Sequence, residues 1–289
     1  MWRATLPANM IVAPNSPSAR AQLITSPAPS EALASGADAV VIDLEDAVAP
    51  GAKALARAAL EAAWPGLVVG ASSNAARLVV RINAPGTDEF DADLALCARL
   101  MPAAVLVAKA EQVGAFLDLR ARLAPATAVL ALIETARGLA GARSLAMSGM
   151  VDRLALGHID LQADLGMRCG PDEAELMPAR FELVMAARLG DLPPPIDGVT
   201  TDIRDAARVH DDALRALRMG YGAKLCIHPE QIAPVHAAFA PSMEELAQAR
   251  RVLDAAHAAA GGAIQLDGRM IDRPVVLLAE RIVRRAGAV

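Results

Sequence analysis

Eight short β-branched runs alternate with Ala/Leu/Arg-rich stretches along 289 residues, and the core is almost free of aromatics. Together these observations predict an α/β chain: a (β/α)8 TIM barrel with a C-terminal helical extension. The runs lie at 22–25, 39–44, 78–82, 104–108, 128–133, 153–156, 196–199 and 223–227. Each is close to continuously apolar, as parallel strands covered on both faces are. Hydrophobic residues make up 54% of the chain and aromatics 2%, so aliphatic layers must fill the interior. An open doubly wound sheet is the alternative. Against it, the turn after the first run reads Ser26-Pro27-Ala28-Pro29, with neither GxGxxG nor a Walker phosphate loop.

Taken in order, residues 1–19 read as an irregular N-terminal extension, 20–240 as the barrel, and 241–289 as a C-terminal helical segment suited to a subunit interface. Pro241-Ser242 followed by Glu244-Glu245 is a capped helix start, and the helix should run to about residue 260. Gly261-Gly262 breaks it, and an amphipathic segment follows from Asp272 to about Ala286.

Composition excludes several functions. The chain has 28 Lys+Arg against 33 Asp+Glu, a net charge of −5, and no basic cluster, which argues against nucleic-acid binding. Three scattered cysteines (Cys97, Cys169, Cys226) without a CxxC suit a reducing, cytoplasmic setting. Apolar runs such as 126–133 stop far short of the roughly 20 residues a membrane span needs, and there is no signal-peptide h-region.

Barrel chemistry gathers at the C-terminal ends of the strands. The second run ends in Asp43-Leu44-Glu45-Asp46, the third in Arg81-Ile82-Asn83 and the fourth in Lys109-Ala110-Glu111. The fifth ends in Glu134-Thr135, the sixth in Gly157-His158-Ile159-Asp160 and the eighth in His228-Pro229. Each polar group has a structural reading taken alone. Asp46 could belong to the loop before the helix that Pro50 starts, Glu134 could cap the fifth helix, and Asp160 could cap a turn. His228 reads as a hydrogen-bonded structural histidine and Arg81 as a loop ion-pair partner. Crowded at one barrel mouth, however, several carboxylates raise one another's pKa unless a cation compensates. Glu134 and Asp160 offer hard oxygen ligands and no Cys/His ligand spacing is present, which favours Mg²⁺. A metal with open positions beside an arginine fork suits a 2-hydroxy or 2-oxo acid.

The residues at these strand ends also carry a resemblance. The stretches 36–48 (GADAVVIDLEDAV), Val80-Arg81-Ile82-Asn83, Ile133-Glu134-Thr135-Ala136, Gly157-His158-Ile159-Asp160-Leu161, 222–229 (GAKLCIHP) and 268–274 (GRMIDRP) occur in this order. In this order they resemble the HpcH/HpaI aldolase group, which includes the citrate lyase beta subunit and other CoA-ester lyases. The likeness runs from about Arg20 to the end.

The resemblance implies a (β/α)8 barrel with Mg²⁺ held by Glu134 and Asp160, a substrate carboxylate held by Arg81, and Glu45 and Asp46 close to the metal. It assigns Asp272 as a catalytic acid or base reaching a neighbouring subunit's site, within a trimer or hexamer. The implied reaction is cleavage or formation of a 3-hydroxyacyl-CoA, such as citryl-CoA or malyl-CoA, with an acyl-CoA and a 2-oxo acid as the other partners. Two rivals are a metal-dependent aldolase on free hydroxy acids, without CoA, and a non-catalytic metabolite-binding barrel.

The chain departs from the family pattern in three places. The first loop, Ile24-Thr25-Ser26-Pro27-Ala28-Pro29-Ser30, is shortened and lacks the usual glycine. Ala108 stands where a proline usually precedes Lys109, and His158-Ile159 replaces the usual small and acidic pair.

Overall fold

The computed structural model describes residues 21–25, 29–258 and 264–286. The expected 1–19 extension, the centre of the shortened first loop at 26–28 and the Gly261-Gly262 break lie outside the described residues.

The α/β class expected from the sequence is what the structure shows: a curled parallel sheet flanked by helices. Its strands are β1 (Ala21–Thr25), β2 (Ala39–Asp43), β3 (Arg77–Ile82), β4 (Ala104–Val107), β5 (Ala128–Ile133), β6 (Arg153–Leu156), β7 (Ile196–Asp197) and β8 (Ala223–Cys226). Each pairs in parallel with the next, and β8 returns to β1 through Lys224 opposite Ala21 and Cys226 opposite Leu23. The helices of this part are α1 (Pro29–Ala34), α2 (Lys53–Ser73), α3 (Phe90–Leu100), α4 (Val113–Arg122), α5 (Ala136–Met147), α6 (His158–Leu165), α7 (Met177–Leu189), α8 (Ala206–Met219) and α9 (Ile232–Phe239). No helix among the described residues is long and apolar enough to cross a membrane.

Two cores follow from the two faces of the strands. Side chains alternate across a strand, so residues two apart share a face. Ala39, Val41, Val79, Leu106, Leu130, Leu132, Ala155 and Leu225 form the inner core, enclosed by the strands. Val40, Val80, Val105, Val129, Ile133 and Leu154 face outward onto the helices, meeting Phe116, Leu145 and Leu183. Small and branched aliphatics fill both layers, which is why the chain manages with so few aromatics.

The C-terminal segment builds a separate small core from Ala249, Val252, Ile271 and Ala279, with Val275 and Ile282 against it. Its helices are α10 (Met243–Ala258) and α11 (Arg273–Ala286). The predicted cap is present: the Ser242 hydroxyl accepts from Glu245 N–H at 3.0 Å, and the Glu245 carboxylate accepts from Ser242 N–H at 2.8 Å. The purely helical expectation needs correcting here. Between the helices, β9 (Ile264–Leu266) and β10 (Arg269–Ile271) form an antiparallel hairpin. Its Asp267-Gly268 turn has both residues at positive φ (53° and 77°), as a two-residue hairpin loop of primed type demands.

Candidate active site

Alternation along the strands places the polar ends. Ala39 and Val41 face inward, so Asp43 does too; Val79 puts Arg81 on the same face, Leu132 puts Glu134 there, and Ala155 puts Gly157 there. At the C-terminal end of the sheet these positions converge, and Glu134 is almost wholly buried, 1% exposed.

Asp43 organises one side of the site. The Arg81 Nε–H and Nη2–H donate to its two oxygens at 2.7 and 2.5 Å, a bidentate pair. The same carboxylate accepts from Glu45 N–H at 2.8 Å and Ala47 N–H at 2.9 Å, folding the loop that follows β2. Burial pushes the Asp43 carboxyl up, but the Arg81 pair and the two backbone donors hold it below the usual carboxylate range. Arg81 Nη1 lies 3.3 Å from Glu45 Oε2. Burial opposes the Arg81 charge, yet Asp43 and Glu45 stabilise it further, leaving the guanidinium firmly protonated.

A lysine joins the two carboxylate groups. Lys109 sits at φ 47°, a left-handed conformation uncommon for a residue with a side chain. This turn lets its backbone N–H donate to Glu134 Oε1 at 2.8 Å while its ammonium donates to Glu45 Oε1. Behind it, the buried Lys53 ammonium donates to the carbonyls of Leu44 and Glu45 and to Asn83 Oδ1 at 2.7–2.8 Å, pinning the same loop.

Glu134 is the perturbed group. Burial pushes its carboxyl up to about 8, the negative charges of Asp160 and Glu45 add to this, and the Lys109 N–H and ammonium oppose it. Asp160 stands in the first turn of α6, half-buried, and no hydrogen bond or ion pair ties its carboxylate among the described residues. Two acids with hard oxygens, one destabilised as an anion and one untethered, fit a divalent cation held by few protein ligands. Among the described residues no group of three or more His, Cys, Asp or Glu is placed to hold a metal, so the remaining positions would fall to water and substrate.

The shift of Glu134 fixes the sign of a pH effect. An unperturbed glutamate ionises near 4.5, whereas this one holds its proton to about 8. Between these values the folded state binds the extra proton, so stability falls as pH rises through the window. Urea unfolding of the EDTA-treated protein should show this decline, and Glu134→Gln should flatten it. Equal slopes in both proteins would remove Glu134 as the cause.

The other candidate residues are placed less centrally. Asp46 is largely exposed; its N–H donates to Glu45 Oε2 at 3.0 Å and its carboxylate lies 4.0 Å from the Lys109 ammonium. A 3-10 turn at Pro50–Ala52 follows, so the loop reading suits Asp46. Thr135, not Glu134, caps α5 by accepting from Gly138 N–H at 3.0 Å, which removes the capping explanation for Glu134. His228 accepts from Glu230 N–H at 3.3 Å and caps the turn that begins at Pro229. Asp272 accepts from Val275 N–H at 3.3 Å at the start of α11; no bond links it to Arg81, Glu134 or Asp160 among the described residues. Asp43 and Lys109 stand at the polar strand ends picked out in the sequence, but the sequence reading gave neither a role.

Gly157 completes the site by what it lacks. A Cβ there would lie 2.5 Å from the Cβ of Glu134 and closer still to its Oε2, so the acid occupies space that only glycine leaves. Gly157→Ala should keep the fold but displace Glu134, lowering kcat/KM by about a hundredfold, the usual cost of an ångström-scale misplacement. Steady-state kinetics check this; wild-type values would show that the Glu134 position is not critical.

Comparison with known proteins supplies the context. A family model described as HpcH/HpaI aldolase/citrate lyase matches residues 16–229. A citrate lyase subunit beta-like protein of Mycobacterium tuberculosis is 38% identical over 260 residues, spanning 88% of this chain and 89% of that one. A (3S)-malyl-CoA thioesterase of Cereibacter sphaeroides is 30% identical over 256 residues, spanning 88% of each. Among solved structures, the protein CitE from Mycobacterium tuberculosis in complex with magnesium, acetoacetate and coenzyme A superposes with a TM-score of 0.79 at 35% identity, covering 93% of this chain and 98% of that one.

Proposed function

Because the chain belongs to the HpcH/HpaI aldolase/citrate lyase family, we propose that it is a Mg²⁺-dependent carbon–carbon lyase built on a (β/α)8 barrel. It cleaves, or forms, a 3-hydroxyacyl-CoA such as citryl-CoA or malyl-CoA, with an acyl-CoA and a 2-oxo acid on the other side of the reaction. The observation that carries this reading is the buried Glu134 carboxyl, pushed up to about 8 with Asp160 and Glu45 as neighbours and Arg81 on the same inward face. Such a carboxylate is stable as an anion only beside a cation, and the solved relative named above was crystallised with magnesium and coenzyme A.

Glu134 and Asp160 would hold the ion. When bound, Mg²⁺ would supply Lewis acidity that lowers the cost of the alkoxide that must form before the carbon–carbon bond breaks. Arg81 orients the substrate carboxylate. Its Nε–Nη2 edge is taken by Asp43, so a substrate carboxylate would meet Nη1 and share it with Glu45, 3.3 Å away. Lys109 and Lys53 hold Glu45 and the loop after β2 against movement. Asp272, at the start of α11, serves a neighbouring copy's site as the acid or base that exchanges a proton with the acyl-CoA carbon, in a homo-oligomer of trimer or hexamer form. Asp272→Asn should therefore lower kcat more than it raises KM; unchanged kinetics would remove it from the reaction.

A screen of CoA thioesters with Mg²⁺, following both 2-oxo acid and free thiol, tests the assignment. A lyase yields 2-oxo acid with no free thiol, and stops in EDTA. The likeness to a malyl-CoA thioesterase makes hydrolysis the second reading. Thiol release with an intact hydroxy acid would establish that reading instead, and cleavage of free hydroxy acids would establish an aldolase.

A further inference from the structure

The first turn of α6, which carries Asp160, is tied to the neighbouring α7, α8 and β7 by a buried polar chain that the reaction above does not use. His158, two residues before Asp160, is almost fully buried, and its ring packs over Gly198, where an added Cβ would fall 2.8 Å from the ring Cε1. The ring Nε2 lies 3.4 Å from Glu173 Oε1. Glu173 lies in the loop between α6 and α7, at φ 52°, a left-handed conformation that a side-chain-bearing residue keeps only when its surroundings enforce it. Its other oxygen, Oε2, accepts from Arg180 Nη2 of α7 at 2.6 Å and from Arg215 Nη2 of α8 at 2.7 Å. Arg180 in turn donates through Nε to Asp197 Oδ1 of β7 at 3.0 Å. One carboxylate thus gathers a ring from α6, two guanidinium groups from α7 and α8 and, through Arg180, a strand of the sheet.

We propose that Glu173 is a positioning residue for the Asp160 acid: through the His158 ring it fixes the first turn of α6, and so the direction in which the Asp160 carboxylate faces Glu134. This rests on the metal reading above. It adds that the ion's affinity is set by a residue that does not touch it. The His158-Ile159 pair, a departure from the family pattern, becomes the means by which this chain anchors its otherwise untethered acid. Outer groups that orient a ligand typically alter metal affinity by about 10–100-fold when removed.

The test is Mn²⁺ binding to the full chain, followed by electron paramagnetic resonance, with circular dichroism as the check on fold. Glu173→Gln and His158→Ala should each weaken Mn²⁺ binding by about 10–100-fold with secondary structure retained. Arg215→Met, which leaves the His158–Glu173–Arg180 chain whole, should lower Tm but leave Mn²⁺ affinity unchanged. If Glu173→Gln does not fold, His158→Ala carries the test, because it leaves Glu173 on both arginines. Wild-type affinity in His158→Ala, or equal weakening in Arg215→Met, would overturn the proposal. Failure of the unaltered protein to bind Mn²⁺ would overturn the metal reading itself and is distinguishable from either result.

Discussion

Replacing Glu134 with Gln is expected to abolish turnover, by about a thousandfold or more, while raising the stability of the metal-free protein. The two effects share one cause. Glu134 is buried, and burial together with the charges of Asp160 and Glu45 pushes its carboxyl up to about 8. At neutral pH and without a cation, folding therefore works against the ionised form that an exposed glutamate prefers. Gln keeps the shape and still accepts the Lys109 N–H, but it removes that penalty together with the charge a divalent ion needs. A group whose removal stabilises the fold and stops the reaction is retained for function. Asp160→Asn should show the same loss of turnover with little change in stability, since that acid has no partner to lose among the described residues. Paired measurements of urea midpoint in EDTA and of kcat in excess Mg²⁺ check both variants. A Glu134→Gln protein that is less stable and still active would contradict the reading.

Arg81→Met is expected to cost both stability and substrate binding. The Asp43 side chain is 0% exposed and that of Arg81 11%, so water can do little for the carboxylate left behind. Removing one partner of a buried pair costs about 3–5 kcal/mol, because an uncompensated charge remains. The consequence spreads through Asp43. Its oxygens also accept from Glu45 and Ala47, so loss of the arginine loosens the loop that presents Glu45 to Lys109. Denaturant unfolding should show the loss, and adding Asp43→Asn to Arg81→Met should restore part of the stability without restoring activity. If the single variant matched the wild type in stability, the pair would be worth no more than an exposed one.

The strands were legible because they are buried on both faces: 128–133 and 153–156 were read to the residue, and the others to within one or two, β7 being two residues shorter than expected. The strand ends were legible for the same reason, since a barrel collects its polar groups there; Arg81, Glu134 and Asp160 follow from that rule. That Asp43, named at its strand end without a role, faces inward follows from continuing the alternation 39, 41, 43. The Asp267-Gly268 dipeptide between two short apolar runs signalled the hairpin that the helical reading missed. Other features leave no local pattern. The left-handed turn that lets Lys109 serve two acids is a property of the folded backbone. The contact between His158 and Glu173 is made by a loop that folds back onto α6 and carries no recognisable motif.

Everything in the proposed chemistry depends on a divalent ion seated between two acids that are 26 positions apart. Crystals of the full chain grown with Mn²⁺ and measured near the manganese edge test this most directly. The account predicts one anomalous peak in contact with carboxylate oxygens of both Glu134 and Asp160. A map with no peak there, from a protein shown to be active, would contradict it.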